Sequence, residues 1–105
     1  MAITFGVSLS VDDYWDIPEF ARRAEALGYG RVTMGEHIMD GNPPRPTLLN
    51  LPAMAAAAGA TSDLRVMTGI VIAPLYHPVT LAKMVATVDQ VSSGRLDFGI
   101  GISGQ

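Results

Sequence analysis

Residues 64–101, "LRVMTGIVIAPLYHPVTLAKMVATVDQVSSGRLDFGIG", contain one complete strand–helix–strand unit, and its reading decides the fold. "LRVMTGIVI" is long and rich in β-branched residues, as a strand buried on both faces should be. From Pro78 to about Val91 the period lengthens to that of a helix, with Leu81, Val85 and Val88 on one face and Gly94 after its end. Residues 95–102 return to alternation and predict a second strand. Two strands separated by a helix of this length pair in parallel, because a crossover of a dozen residues is what parallel pairing needs.

The same alternation extends toward the amino terminus. "ITFGVSLS", residues 3–10, predicts strand 1, and "RVTMG" predicts strand 2. Helix 1 is expected at about residues 17–27, where Asp16 and Glu19 have capping-box spacing, Pro18 stands in the first turn and Gly28 offers a left-handed stop. Helix 2 is the alanine-rich "LPAMAAAAG", about residues 51–58. Four strands and three helices in strict alternation predict an α/β fold with a parallel sheet in order 1-2-3-4.

Strand parity separates two faces. Ile3, Phe5, Val7 and Leu9, then Val32 and Met34, then Leu96, Phe98 and Ile100 are large; the residues between them include Gly6, Gly35, Gly99 and Gly101. The large face is expected to meet the helices. The small face, with Gly69, leaves room for something flat. Links from helix to strand are tight, whereas residues 35–50, "GEHIMDGNPPRPTLLN", form a long loop with three prolines after strand 2. Long loops at the carboxyl ends of parallel strands are where α/β proteins build their sites.

Composition excludes several functions. A net charge of -3 over 105 residues, with the seven Lys and Arg scattered, offers no basic surface to nucleic acid. No apolar run approaches the ~20 residues of a membrane span, and the amino terminus has no signal-peptide pattern. The absence of cysteine rules out a disulfide framework, and the expected location is the cytoplasm. Two separated histidines and scattered carboxylates give no metal-ligand spacing.

Three motifs bear on chemistry. "GIGISG" satisfies G-x-G-x-x-G with Gly99, Gly101 and Gly104, but the motif lies on the fourth strand and lacks the following helix and acid of a dinucleotide site, so it reads as a glycine-lined strand end. Glu36 and His37 follow strand 2 on the catalytic face; their spacing suits either a hydrogen-bonded loop anchor or catalysis. If strand 2 stayed extended, His37 would share the parity of Gly35 and point into the mouth. His77, before Pro78, closes the loop into helix 3.

In order, "AEALGYGRVTMGEH" and "LRVMTGIVIAPLYHPVTLAKMVATVDQVSSGRLDFGIGIS" resemble the luciferase-like flavin monooxygenase superfamily. The resemblance implies a (β/α)₈ TIM barrel, of which residues 1–105 would form the amino-terminal part, β1 to β4, as a single partial domain. It implies FMN or the deazaflavin coenzyme as cofactor and a small organic molecule as substrate. His37 matches a histidine near the ring, taken as the catalytic residue, with Glu36 beside it. Gly69 of the matching strand is implied as cofactor-binding, as is Glu36, and Ile70 and Val71 match a pair joined by a non-prolyl cis peptide behind the ring. Ala73, Ile102 and Ser103 match positions around it. One departure is Gly104, which stands where deazaflavin dehydrogenases carry a proton-donating glutamate. The chain is expected to be part of an oxidoreductase, inactive when isolated, and to occur as a homo-oligomer or beside a complementing fragment. The alternative is a non-catalytic half-barrel that pairs with another chain. The alanines of helix 2 are expected either to meet a partner's helices across a two-fold axis or to supply helix propensity to a short, weakly capped segment.

Overall fold

The computed structural model describes residues 2–10 and 16–102. Strands β1 (Gly6–Ser8), β2 (Arg31–Met34), β3 (Arg65–Ile72) and β4 (Leu96–Gly101) alternate with helices α1 (Ile17–Ala26), α2 (Asn50–Gly59) and α3 (Pro78–Val91). The pairings among these four strands are all parallel and the sheet order is β1-β2-β3-β4, as the alternation predicts. A short 3₁₀ turn, Ala73–Leu75, which the sequence reading left undivided, joins β3 to α3.

Register explains the two faces. Val7, Val32, Val66 and Leu96 align as one apolar row across all four strands and meet the helices. The next row, Ser8, Thr33, Met67 and Asp97, lies on the opposite face. Below it on that face Arg31 pairs with Arg65, and Arg65 grips the Asp97 carboxylate through two nitrogens at 2.7 and 3.0 Å. Arg31 adds a longer contact at 3.8 Å. Chiefly that two-pronged bond holds the Asp97 carboxyl below the usual range, against the opposing effect of burial.

The large face is covered only where a helix lies over it. Ile3, Phe5, Phe98 and Ile100 remain exposed, and the last two line an apolar groove of about 850 Å³ between α3 and β4. α3 leans on the start of β4 through Leu96 and leaves the strand's far half bare. β1 is also shorter than residues 3–10, since only Gly6 to Ser8 pair with β2.

α2 sits between α1 and α3 on the sheet. Its alanines are the reason it fits there: Ala53, Ala57 and Ala58 are buried with Met54 in the core shared with α1 and β2, and Ala55 packs toward α3. Small side chains here permit close approach within one chain, and only Ala56 of this run is exposed. The intrachain packing thus engages Ala53, Ala55, Ala57 and Ala58, alanines for which either a partner's helices or helix propensity was the expected reason.

Helix termini are held by side chains from elsewhere. Asp16 at the start of α1 makes no cap bond, contrary to the capping-box spacing, because its backbone is already helical (φ -80, ψ -7) and cannot turn the carboxylate back onto the first turn. Gly28, at φ +88, supplies the expected left-handed stop. Glu25, near the end of α1, accepts the amides of Ser62, Asp63 and Leu64 at 2.7–3.1 Å and so ties α1 to the turn before β3.

That clamp makes stability pH-dependent. The Asp63 amide is the main cause of a Glu25 pKa below its ordinary 4.5; burial opposes it, while the Leu64 and Ser62 amides and the Arg95 charge add to it. A carboxylate more acidic in the folded than in the unfolded state gives stability that is complete above the unfolded value and lost as pH falls through the folded one. Urea midpoints between about pH 5 and pH 3 are expected to fall, and Glu25→Gln to flatten part of that fall. An unchanged acid limb in the variant would assign the dependence to other carboxylates.

Candidate functional site

At the carboxyl ends of the strands, the face away from the helices is stripped of side chains. A Cβ on Gly69 would stand 2.7 Å from Thr33 Oγ1; one on Gly99, 2.0 Å from the Thr68 carbonyl oxygen; one on Gly101, 1.9 Å from Ile70 Cδ1. The glycines therefore permit close strand approach and let the Ile70 side chain lie over β4. The result is a glycine-lined face with the Ile70 side chain upon it. That shape suits a planar ring.

β3 reaches this surface through an irregularity. Its pairing with β4 runs in step to Thr68–Phe98 and resumes, shifted, at Val71–Ile100. The peptide bond between Gly69 and Ile70 is cis, and the Ile70–Val71 bond is not, so the sequence reading placed this feature one residue late. The shift in pairing sets the position: it turns Ile70 onto the glycine face beside Gly69, and sends Val71, fully buried, to the helix side.

Side chains take over where the ladder is interrupted. Thr68 Oγ1 donates to the Gly99 carbonyl and accepts the Gly99 amide, both at 2.8 Å. Across β2, Asn50 Nδ2 donates to the carbonyls of Ile70 at 2.9 Å and Met34 at 3.4 Å. Both Thr68 and Asn50 are fully buried, and Asn50 Oδ1 has no hydrogen-bond partner. The sequence reading missed both residues. A polar asparagine heading an otherwise apolar helix was the available signal for one; a lone threonine in a strand gave none for the other.

Glu36 is the hub of the loop after β2. Only 4% exposed, it accepts the Asn50 amide at 3.4 Å, the Ile72 amide at 3.1 Å and the Tyr76 hydroxyl at 2.7 Å. It thereby joins the end of β2 to α2, β3 and the 3₁₀ turn. Burial, then the bond to Glu36 and its charge, push the Tyr76 hydroxyl pKa well above the ordinary tyrosine value, so that it remains a donor. Of the two roles that spacing left open for Glu36, this is the anchor.

His37 follows on the exposed part of the same loop. β2 ends at Met34, so strand parity does not carry as far as His37. Ala73 lies behind the face, against the core shared with α3, and Ile102 is 85% exposed just beyond β4. Ser103 and Gly104 fall outside the described residues. The structure thus brings Gly69 and Ile70 together with Gly99 and Gly101 on one surface, and sets Glu36, Val71 and Ala73 behind it as support. Among the described residues no group of three or more His, Cys, Asp or Glu could hold a metal, and no helix is long and apolar enough to cross a membrane.

Comparison with known proteins bears on what such a surface serves. The flavin-dependent trigonelline monooxygenase oxygenase component of Acinetobacter baylyi is 36% identical over 88 residues, which are 83% of this chain and 24% of that protein. The coenzyme F420 dependent tetrahydromethanopterin reductase of Methanopyrus kandleri superposes with a TM-score of 0.81 at 26% identity, over 99% of this chain and 28% of that one. The oxygenating constituent of 3,6-diketocamphane monooxygenase from Pseudomonas putida, solved with FMN, gives a TM-score of 0.83 over 100% of this chain and 31% of that one; at 23% identity it supports the fold alone. The chain spans between 24% and 31% of these proteins' lengths. The family model for luciferase-like monooxygenases matches residues 3–105, and the chain belongs to that family.

Proposed function

We propose that the protein contributes the amino-terminal part of the barrel of a flavin- or deazaflavin-dependent oxidoreductase, with the cofactor ring lying on the glycine face. The observation that carries this reading is the row Gly69, Gly99 and Gly101, which puts no side chain of its own on the face that Ile70 shares at the carboxyl ends of β3 and β4. Relatives named for flavin and for coenzyme F420 support it. When bound, the ring supplies the redox chemistry. The chain's own residues do the rest. Ile70 backs the ring, Gly69 leaves it room, and Val71, Ala73 and Glu36 hold that surface from behind. Ile102 borders it just beyond β4, and Ser103 is assigned to cofactor binding on the family resemblance alone. His37 is the catalytic side chain, an exposed imidazole on the loop after β2. A small organic molecule is the substrate.

The sheet's open edges, β1 and β4, and the bare groove by Phe98 and Ile100 support working in company, as a homo-oligomer or with a complementing chain in the cytoplasm. The same features favour a second reading, a half-barrel that assembles without binding a cofactor. Titration with FMN and with the deazaflavin coenzyme, followed by fluorescence, separates the two. One of them is expected to bind stoichiometrically to the protein, and Gly101→Leu, which puts a side chain on this face, to weaken it at least about tenfold. Binding of neither would favour the assembly reading, and equal binding by Gly101→Leu would move the ring off this face.

A further inference from the structure

We infer that Asn50 is a positioning residue for the cofactor surface, acting through the backbone of β3 without touching the ring. The inference rests on the proposed ring site. β2 and β3 pair in step only as far as Met34–Thr68. Beyond that point the carbonyls of Met34 and Ile70 lie on neighbouring strands, and one side-chain amide donates to both. The two bonds fix the orientation of the Asn50 carboxamide, because its Nδ2 is the group that has hydrogens to give. They leave Oδ1 in the interior without a partner, and an apolar side chain here would instead deprive the Met34 and Ile70 carbonyls of this donor.

What Asn50 fixes is the place of Ile70. Its backbone oxygen is held from the helix side while its side chain lies on the glycine face against the site of Gly101. On the other flank Thr68 ties β3 to Gly99 through both of that residue's backbone groups. The Asn50 amide itself bonds to Glu36, which in turn holds the Ile72 amide. The irregular segment from Thr68 to Ile72 is thus gripped from α2, from the loop that carries His37, and from β4. Loss of the Asn50 carboxamide releases Ile70 on one side while leaving every group on the glycine face in place chemically.

The test compares wild type, Asn50→Ala, Asn50→Gln and the control Met54→Ala. Met54 is fully buried on the same helix and belongs to the core shared with α1 and β2. Each is titrated with whichever of FMN or the deazaflavin coenzyme the wild type takes up. Dissociation constants, the visible absorption band of the bound ring and thermal midpoints are read together. Asn50→Ala is expected to bind about tenfold more weakly, the equivalent of one hydrogen bond, with a displaced absorption band. Asn50→Gln, which keeps a donating carboxamide, is expected to recover part of both. Met54→Ala should lower the midpoint as much or more while keeping the wild-type band and affinity. Wild-type affinity and spectrum in Asn50→Ala would overturn the inference and leave the ring site standing. Failure of the wild type to bind either cofactor would instead remove the ring site, and this inference with it. Should Asn50→Ala not fold, Asn50→Gln decides: wild-type spectrum with a lowered midpoint counts against positioning, a displaced band at unchanged midpoint counts for it.

Discussion

Gly99→Ala is expected to destabilise the protein by about 3 kcal/mol or more, by the addition of one methyl group. A Cβ at this position would lie 2.0 Å from the Thr68 carbonyl oxygen and 3.2 Å from its carbon. Both are backbone atoms of a central strand, so no side-chain rotation relieves the overlap. β3 and β4 have to part, and parting them breaks the reciprocal pair that Thr68 Oγ1 makes with the Gly99 amide and carbonyl. The buried Thr68 hydroxyl then lacks both partners. For a domain of this size each kcal/mol lowers the thermal midpoint by roughly 4–8 °C, and differential scanning calorimetry would read the loss directly. Gly59→Ala supplies the control: it ends α2 and its Cβ would meet nothing within 4 Å. That change is expected to be neutral or slightly stabilising. Equal midpoints for the two variants would show that the strands separate at little cost.

Arg95→Ala is expected to cost about 3–4 kcal/mol, from the opposite end of the sheet. The guanidinium spans the end of α2 and the turn beyond it: it donates to the carbonyls of Ala58 and Leu64 at 2.8 Å, to Thr61 Oγ1 at 2.9 Å and to the Ser92 carbonyl at 2.7 Å. Ala58 and Leu64 are almost wholly buried, so their carbonyls have little water to turn to once the arginine is gone. α2 has no basic residue in its own last turn, and Arg95 fills that role from β4's leading edge. Arg95→Lys is expected to recover less than half of the loss, because a single ammonium cannot fork between the helix end and the Leu64 turn. Urea unfolding of the three proteins measures both differences, and a lysine variant as stable as wild type would show that charge alone suffices.

These two sites divide what was legible in the sequence from what was not. "SSGR" was readable as the turn between α3 and β4, and Gly94 does adopt φ +76 there, beside Ser93 at +56. That its arginine closes a helix begun 45 positions earlier could not be read, since a side chain's reach across the fold has no period. The same holds for Glu25, which looks like an ordinary helix-surface carboxylate and in fact gathers three amides of a distant turn. Likewise Glu36 and His37 are neighbours in sequence but have opposite fates, one sealed among amides and one exposed on the loop.

The sequence by itself determined the order of elements, the parallel sheet and the two faces, because hydrophobic period and β-branching are local and repeat along the chain. It also pointed to the glycine-bearing strand ends after β2, β3 and β4 as the place for a ligand. Only the tertiary structure decided how β3 breaks step. At Thr68–Val71 the pairing slips, Ile70 comes round to the glycine face, and Asn50 and Thr68 supply the bonds that the ladder cannot. Such a slip is the outcome of competition among three strands, a helix and a loop for the same few backbone groups. Each of those groups must find a partner once buried, and which partner it finds depends on geometry that exists only after the strands have met.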